Sequence, residues 1–223
     1  MSAYLLDTET TGITEPVVAV EIAWQRLDQP DSLTALAEYS QRFNPGRPID
    51  LGAMATHHIM DEDVAQCAPA SDYRLPADAV WIIGHNVDYD WRVLGEPPVK
   101  RICTLALSRH FWPAADSHTL GAMLYLLHRE YARLHLRDAH SALADVKVLR
   151  IVLRYIVERV REKVGGAIGW ETLWQVSEVA RVPTVMTFGK HKGMAIRDVP
   201  ADYKRWLLSQ PDVDPYLAQA LRS

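Results

Sequence analysis

The sequence has little cysteine and no long hydrophobic run. Only two of its 223 residues are cysteine, Cys67 and Cys103, and they lack the spacing of metal ligands. This argues against a disulfide framework and against a zinc site, and it fits a reducing compartment. No stretch approaches the roughly 20 apolar residues that a membrane helix needs, so we expect no membrane partner.

The first residues of the sequence do not have the pattern expected of a targeting segment. The first residues, MSAYLLDTETTG, contain no basic leader, and Asp7 and Glu9 interrupt their apolar run. Such a segment is not expected to act as a signal peptide. Together with the low cysteine content, this predicts a cytoplasmic location.

The chain has no excess of positive charge, since its formal net charge is −4. Taken alone, that value argues against a nucleic-acid partner. The charges are unevenly distributed, however: residues 1–99 hold 16 acidic and 5 basic residues, whereas residues 100–223 hold 12 and 19. An acidic half could collect divalent cations and a basic half could contact phosphates, although ordinary uneven surface charge explains the pattern as well.

Hydrophobic patterning predicts strands first and helices afterwards. Short β-rich runs occupy 4–7, 17–27, 37–43, 80–84 and 101–103. Helical patterns follow at 105–111, 119–128, 141–164, 169–180, 201–209 and 213–222. This order predicts an α/β or α+β fold with a mixed sheet. The Gly165-Gly166 pair is the clearest break, so we predict a main domain at 1–165 and a small accessory domain at 166–223.

Two acidic residues end the first predicted strand. Asp7 and Glu9 are two positions apart, so on a strand their side chains point to the same face. Two carboxylates held this closely repel each other unless a cation lies between them or one remains protonated. Hard divalent cations such as Mg²⁺ prefer such oxygen ligands, but an acidic surface turn is the alternative for this pair alone.

Two later segments supply further polar groups. His85 to Asp90 directly follows a buried strand and contains two acids, Asp88 and Asp90, which the sequence does not distinguish. His140 precedes the long predicted helix, and Asp145 lies one turn inside it. A histidine has a pKa near neutral pH and could act as a general base, or it could be an ordinary loop residue. Several carboxylates and one histidine are the parts of a two-metal phosphodiester hydrolase.

These segments, in this order, resemble the three motifs of the DEDDh exonucleases, a ribonuclease-H-like family. The matching positions are Asp7 and Glu9 with the following Thr-Thr-Gly, then His85, Asn86 and Asp90, and finally His140, Ala142 and Asp145. The similarity covers about residues 3–155, and His140 identifies the histidine branch of the family. The C-terminal segment 187–193 and Trp206 further resemble the exodeoxyribonuclease X subfamily.

The resemblance implies a ribonuclease-H-like mixed five-stranded sheet flanked by helices, followed by a small C-terminal helical or α+β appendage. It implies two Mg²⁺ ions, replaceable by Mn²⁺, with one held by Asp7, Glu9 and Asp145 and the other by Asp7 and, through water, Asp90. His140 would deprotonate the attacking water. The residues expected to bind substrate are Thr10, Thr11, Gly12, His57, His85 and Asn86.

Two positions depart from the family pattern. Tyr89 stands where phenylalanine is usual in the second motif, and it could alter stacking on a base. His58 stands where glycine is usual after His57, so the backbone there could differ. None of the five catalytic positions is lost.

The expected activity is 3′–5′ hydrolysis of DNA from single-stranded or frayed 3′ ends, releasing 5′-mononucleotides in repair or recombination. An exoribonuclease or a polymerase proofreading subunit is the alternative with the same chemistry. For the exoribonuclease, RNA is the partner. A nucleic-acid-binding module without catalysis is the alternative of another class. In the accessory domain, Lys190, His191 and Lys192 form either a phosphate-binding loop or an ordinary tight turn. The sequence identifies no protein partner.

Overall fold

The protein is built around a five-stranded mixed sheet. The computed structural model describes residues 2–136 and 141–222. The strands are β1 (Ser2–Thr10), β2 (Ala19–Leu27), β3 (Ala35–Arg42), β4 (Ala79–Gly84) and β5 (Lys100–Cys103). They lie in the order β3-β2-β1-β4-β5; β2 is antiparallel to both neighbours, and β4 is parallel to β1 and to β5. The mixed sheet predicted from the sequence is confirmed.

Helices cover both faces of this sheet and form the C-terminal part of the chain. Their bounds are α1 (Leu51–His57), α2 (Asp61–Val64), α3 (Val87–Val93), α4 (Thr104–Phe111), α5 (Leu120–Leu127), α6 (Arg129–His135), α7 (Ala142–Val164), α8 (Trp170–Arg181), α9 (Ala201–Leu208) and α10 (Pro215–Arg222). The hydrophobic pattern did not predict α1 and α2, which are too short to show a helical period. No helix in the described part of the chain combines the length and the apolar character needed to cross a membrane.

Helix α7 forms the centre of the core. Apolar residues recur along it at helical spacing, and the side chains of Val146, Leu149, Val152 and Ile156 are fully buried against the sheet. Each such side chain contributes roughly 1.5–3 kcal/mol by leaving water. The helix begins where the Ser141 hydroxyl accepts a hydrogen bond from the Ala144 N–H, and it ends at a left-handed glycine. This fixes the first turn of α7 beside β1.

Helix α3 packs on the opposite face of the sheet. Its Val87 joins Leu6 of β1 and Ile82 of β4 in a separate buried cluster. The chain passes from β4 to α3 through Asn86, which adopts left-handed backbone angles. That tight turn sets the start of α3 at the carboxyl end of β4.

The C-terminal part of the chain contains two kinds of packing. In α8, Trp170 and Leu173 belong to the main core, and the Ser177 hydroxyl accepts a hydrogen bond from the Cys103 N–H of β5 at 2.8 Å. A second apolar cluster forms farther along, around Met186, Ile196, Val199, Leu207, Leu217, Ala220 and Leu221. The division at residue 165 stays a prediction; within 166–223, α8 packs on the main core, and the second cluster begins after it.

Candidate active site

Three carboxylates from two elements converge at the end of β1. Asp7 and Glu9 lie on the face of β1 that packs against α7, as strand alternation predicts, and Asp145 lies in the first turn of α7. One ligand oxygen from each lies within 4.8 Å of the other two. The structure therefore brings together residues that are 136 positions apart in the sequence.

A buried glutamate of β2 ties α7 to the sheet at this point. One Glu21 carboxylate oxygen accepts a hydrogen bond from the Ala142 N–H at 2.8 Å, and the other lies 3.7 Å from the Arg42 guanidinium. Glu21 is also the cross-strand partner of Glu9, so two acids face each other. Sequence reasoning gave Glu21 no role, although an acid within an apolar strand was a usable signal.

Asp90 joins the carboxylates from α3. Its side chain is only 4% exposed, and it accepts a hydrogen bond from the Thr8 hydroxyl at 2.8 Å. Thr8 points to the face opposite Asp7 and Glu9, which is why a threonine of β1 can reach α3. Sequence reasoning had overlooked Thr8.

Asp88 has different partners. Its carboxylate accepts hydrogen bonds from Arg101 at 2.5 Å and from Arg181 at 3.1–3.2 Å. Both of its oxygens are therefore used in ion pairs with β5 and α8. Of the two acids that the sequence could not distinguish, Asp90 is the one beside Asp7.

The carboxylates disfavour one another's ionised forms. Burial, and after it the charges of Asp90 and Asp145, raise the pKa of Asp7 well above 3.8. Burial, with the charge of Asp145, raises the pKa of Glu9 to about 7. Burial likewise raises the pKa of Asp90 to about 7, and the hydrogen bond from Thr8 opposes this shift. Such a cluster is stabilised by protons or by cations.

The residues fit a divalent cation. The donors that converge are carboxylate oxygens, the ligands that hard cations such as Mg²⁺ and Mn²⁺ prefer. Among the described residues, Asp7, Glu9 and Asp145 form the one such metal-type group. A cation placed between them would offset the repulsion that, in addition to burial, raises the pKa values of Asp7 and Glu9.

His140 lies outside the described residues. Its predicted role as general base therefore stays a prediction. The next described residue, Ser141, directly precedes the helix that carries Asp145.

The end of β1 and the turn after it, residues 10–12 and hereafter the threonine loop, are held by their own hydroxyl groups and by Tyr89 of α3. The Thr10 hydroxyl lies 2.6 Å from the Tyr89 hydroxyl, and each of these groups also donates to the Gly12 carbonyl at 3.1 Å. Thr11 is 1% exposed, and its hydroxyl accepts a hydrogen bond from the Val18 N–H. Tyr89, the departure from the family pattern, thus adds a hydroxyl contact that phenylalanine would lack.

Gly12 occupies a position that requires glycine. Its φ is +147°, and a Cβ at this position would lie 2.1 Å from an Asp50 carboxylate oxygen. Asp50 precedes α1, and its N–H donates to the Thr11 carbonyl at 2.8 Å. The threonine loop and the start of α1 therefore pack in direct contact.

His57 supports the same loop from α1. Its Nε2–H donates to the Thr10 carbonyl at 3.1 Å, and its Nδ1 accepts from the Ile59 N–H at 3.0 Å. Burial lowers the pKa of His57, which fits the neutral ring that these two bonds require. His58, where the family usually has glycine, has a φ of +58°, so the left-handed turn is kept without glycine.

His85 is also occupied by protein groups. Its Nε2–H donates to the His118 carbonyl at 2.7 Å, and its Nδ1 lies 3.0 Å from the Thr104 hydroxyl. Burial lowers the pKa of His85 to about 4. Asn86 is exposed and lines a groove of about 410 Å³, whereas His85 is partly buried at the wall of another groove of about 440 Å³; Arg109 lines both. Substrate contacts by these residues, by His57 and by the threonine loop stay predictions.

Comparison with known proteins identifies relatives over almost the whole chain. The chain is 30% identical over 234 residues to Exodeoxyribonuclease 10 of Escherichia coli strain K12, covering 98% of this chain and 96% of the relative. Exodeoxyribonuclease 10 of Escherichia coli O6:H1 matches to the same extent. No protein-family model matches the chain.

Solved structures agree on the fold. Exonuclease X in complex with 5′ overhanging duplex DNA superposes with a TM-score of 0.60 at 27% identity, covering 78% of this chain and 99% of that one. The nuclease domain of 3′hExo, a DEDDh family member bound to rAMP, gives 0.50 at 12% identity and shares the fold, covering 71% of this chain and 92% of that one.

The sheet and its carboxylate cluster thus define a nuclease of the ribonuclease-H-like class. More specifically, the chain belongs to the DEDDh family of 3′–5′ exonucleases. The predictions of fold, family and enzyme class made from the three motifs are confirmed.

Proposed function

We propose that the protein is a metal-dependent 3′–5′ exodeoxyribonuclease that releases 5′-mononucleotides from DNA 3′ ends. The observation that carries this proposal is the convergence of Asp7, Glu9 and Asp145, one ligand oxygen of each within 4.8 Å of the others, with Asp90 beside them. The similarity to Exodeoxyribonuclease 10 over 98% of the chain supports DNA as the substrate. We further propose a role in DNA repair or recombination.

We propose two Mg²⁺ ions as cofactors, with Mn²⁺ able to replace them. Asp7, Glu9 and Asp145 would hold one ion, and Asp7 would hold the second with Asp90 acting through water. When bound, such ions supply Lewis-acid stabilisation of the phosphate and a more acidic attacking water. The all-carboxylate donor set and the raised pKa values of the cluster support this assignment.

The protein groups would perform the remaining tasks. His140 would accept the proton of the attacking water. Thr10, Thr11 and Gly12 would hold the terminal nucleotide, because His57 and Tyr89 fix their loop at the rim of the carboxylate cluster. His85 and Asn86 complete the proposed substrate-binding set, and Asn86 has the more open position of the two.

The proposal is tested by a time course on a 5′-labelled single-stranded DNA oligomer and on its RNA counterpart, in Mg²⁺. We expect a DNA ladder that shortens one nucleotide at a time and disappears with Asp7→Asn. Glu62→Gln, a loss of one exposed carboxylate on α2, is the matched control and should leave the ladder unchanged.

The other outcomes distinguish the alternatives. Faster degradation of RNA would assign the same site to an exoribonuclease. Tight binding without any ladder, in Mg²⁺ or Mn²⁺, would refute the enzyme and favour a binding module.

A cytoplasmic location is part of the proposal, and both cysteines are unpaired, which supports a reducing compartment.

A further inference from the structure

The segment after α8 carries a groove that the exonuclease chemistry does not use. Three rings form one side of it in a row. The His191 and Tyr203 rings are 4.6 Å apart between centroids, and the Tyr203 and Trp206 rings are 5.3 Å apart. Lys190 and Asp202 also line this groove, whose volume is about 300 Å³. Trp206 is 53% exposed, so one large aromatic surface faces solvent.

The turn that carries the lysines is packed against these rings. A Cβ at Gly189 would lie 2.7 Å from the Tyr203 hydroxyl, and Gly189 has a φ of +71°. The turn closes through hydrogen bonds from the Lys192 N–H to the Gly189 carbonyl and from the Gly193 N–H to the Met186 carbonyl. The position of Lys190 beside the aromatic row is therefore set by close packing.

The charge around the groove favours an anion. Residues 187–206 contain five Lys or Arg side chains and two Asp side chains. Asp198 lies 3.7 Å from Arg197, whereas neither Lys190 nor Lys192 has an acidic partner among the described residues. Exposed aromatic rings beside unpaired cations are the features with which proteins bind single-stranded nucleic acid, through base stacking and phosphate contacts.

The same segment also lines the larger groove that contains Asn86, the residue at the start of α3. Phe188, two residues before Lys190, is 47% exposed and lines the larger groove that contains Asn86 and Arg109. Asn86 is four residues before Asp90. A strand with its 3′ end at the carboxylates could thus continue past Phe188 towards Trp206.

We propose that Lys190, Lys192, Tyr203 and Trp206 form a binding site for the single-stranded nucleic-acid segment on the 5′ side of the scissile end. Trp206 stacks on a base, and the two lysines contact phosphates. This site deepens the proposed function and rests on it, because the strand it holds is the substrate of that function.

The test measures affinity by fluorescence anisotropy with the full-length protein in chelator, so that nothing is hydrolysed. The probes are single-stranded DNA oligomers of about six and about thirty nucleotides, chosen to span less and more than one binding site. Trp206→Ala should weaken binding of the long oligomer about tenfold, the effect of losing one stacked base. Binding of the short oligomer, and its hydrolysis when Mg²⁺ is restored, should not change.

A second variant combines Lys190→Ser with Lys192→Ser and tests the phosphate contacts. Log affinity falls with log salt concentration, and removing two phosphate contacts should make that slope shallower by about 1.4. Arg197→Ser, in the same segment but paired with Asp198, is the matched control and should leave the slope unchanged. A structural defect would not produce this difference in salt dependence.

Unchanged affinity of the long oligomer in both variants would overturn the site. An equal loss of affinity for a blunt duplex would overturn the single-strand assignment. The stacking contact predicts a similar loss with a single-stranded RNA oligomer, since stacking does not read the sugar. If the wild type hydrolysed no oligomer in Mg²⁺, the proposed function would fail while these binding results remained interpretable.

Discussion

At the scale of single residues, the carboxylates have opposing effects on stability and on activity. Asp90 is buried beside Asp7, and burial raises its pKa to about 7. A buried acid whose pKa is raised in the folded state stabilises the protein only while it is protonated. The site therefore holds charges that weaken the metal-free fold and that a bound cation would offset.

We predict that Asp90→Asn stabilises the metal-free protein and abolishes hydrolysis. In the wild type, the stabilisation of the folded state by protonated Asp90 is fully present below the usual carboxyl pKa of 3.8. It is lost as the pH rises through about 7, the raised pKa of Asp90 in the folded protein. The variant should therefore exceed the wild type by roughly 1–3 kcal/mol in unfolding free energy at pH 8, and by little near pH 4. Urea unfolding in chelator at both pH values measures this.

Asp88→Asn is the contrasting control two residues away. It removes the charge that pairs with the buried Arg181, so it should lower stability at pH 8. If Asp90→Asn instead lost stability at pH 8 as Asp88→Asn does, the destabilising effect assigned to burial of the ionised Asp90 carboxylate would be wrong.

We predict that Gly12→Ala lowers both stability and activity. The added Cβ would meet the Asp50 carboxylate at 2.1 Å, and the backbone angle is one that alanine rarely adopts. A loss of roughly 1–3 kcal/mol is expected, with a higher KM because the threonine loop must move. Gly52→Ala in α1, where nothing lies within 4 Å, should instead stabilise slightly. Equal effects of the two changes would contradict the close packing at Gly12.

At the scale of elements, the site depends on how α7 is fixed to the sheet. Asp145 reaches Asp7 and Glu9 because the first turn of α7 lies beside β1 and β2. The Glu21 carboxylate holds that turn through the Ala142 N–H. This one hydrogen bond therefore fixes the position of Asp145 relative to the two acids of β1.

Glu21→Ala should consequently destabilise the protein and weaken cation binding. The Ala142 N–H would be left buried and unpaired, at a cost of about 1–3 kcal/mol. Glu21→Gln keeps an acceptor oxygen and should recover most of the loss. Thermal unfolding and a Mn²⁺ titration of both variants check this, and a Gln variant as weak as the Ala variant would contradict the role of the hydrogen bond.

At the scale of the whole molecule, α8 belongs to the main core by its packing. Trp170 and Leu173 are buried there, and Trp170 donates to the Asp28 carbonyl at 3.0 Å. Residues from Met186 onward build a separate cluster. Arg181 connects the two parts, since it bonds Asp88 of α3 and Tyr216 of α10.

Two truncations distinguish the possible boundaries. Deleting 183–223 keeps the main core and should leave a cooperatively folding exonuclease. Deleting 166–223 also removes Trp170 and Leu173, and the loss of several kcal/mol should abolish cooperative unfolding. Thermal unfolding and activity on a short oligomer are the measurements. If the 1–165 fragment folded and hydrolysed DNA, the boundary predicted from the sequence would be right.

Site features that depend on neighbouring residues were predictable from the sequence, whereas features that depend on residues far along the chain were not. Asp7 and Glu9 were predictable as a pair, because strand alternation acts over two residues. The choice between Asp88 and Asp90 was not, because it depends on Arg101 and on an arginine 93 residues away. Thr8 was overlooked for the same reason, since its partner Asp90 is 82 residues away.

Among the helices, too, the features that are local in sequence were the predictable ones. The long helix α7 repeats its apolar pattern over 23 residues, and its predicted bounds were confirmed to within one residue. The backbone at His58 was left open by the sequence, because histidine stands where the family pattern has glycine, and the structure shows a left-handed conformation there.

The central claim is that the carboxylate cluster is the divalent-cation site of this exonuclease, and Mn²⁺ binding measured by electron paramagnetic resonance tests it most directly. We predict two bound Mn²⁺ ions per chain for the wild type and for Glu62→Gln, and fewer for Asp7→Asn, with loss of hydrolysis in that variant alone. Equal Mn²⁺ binding by Asp7→Asn and the wild type would contradict the account.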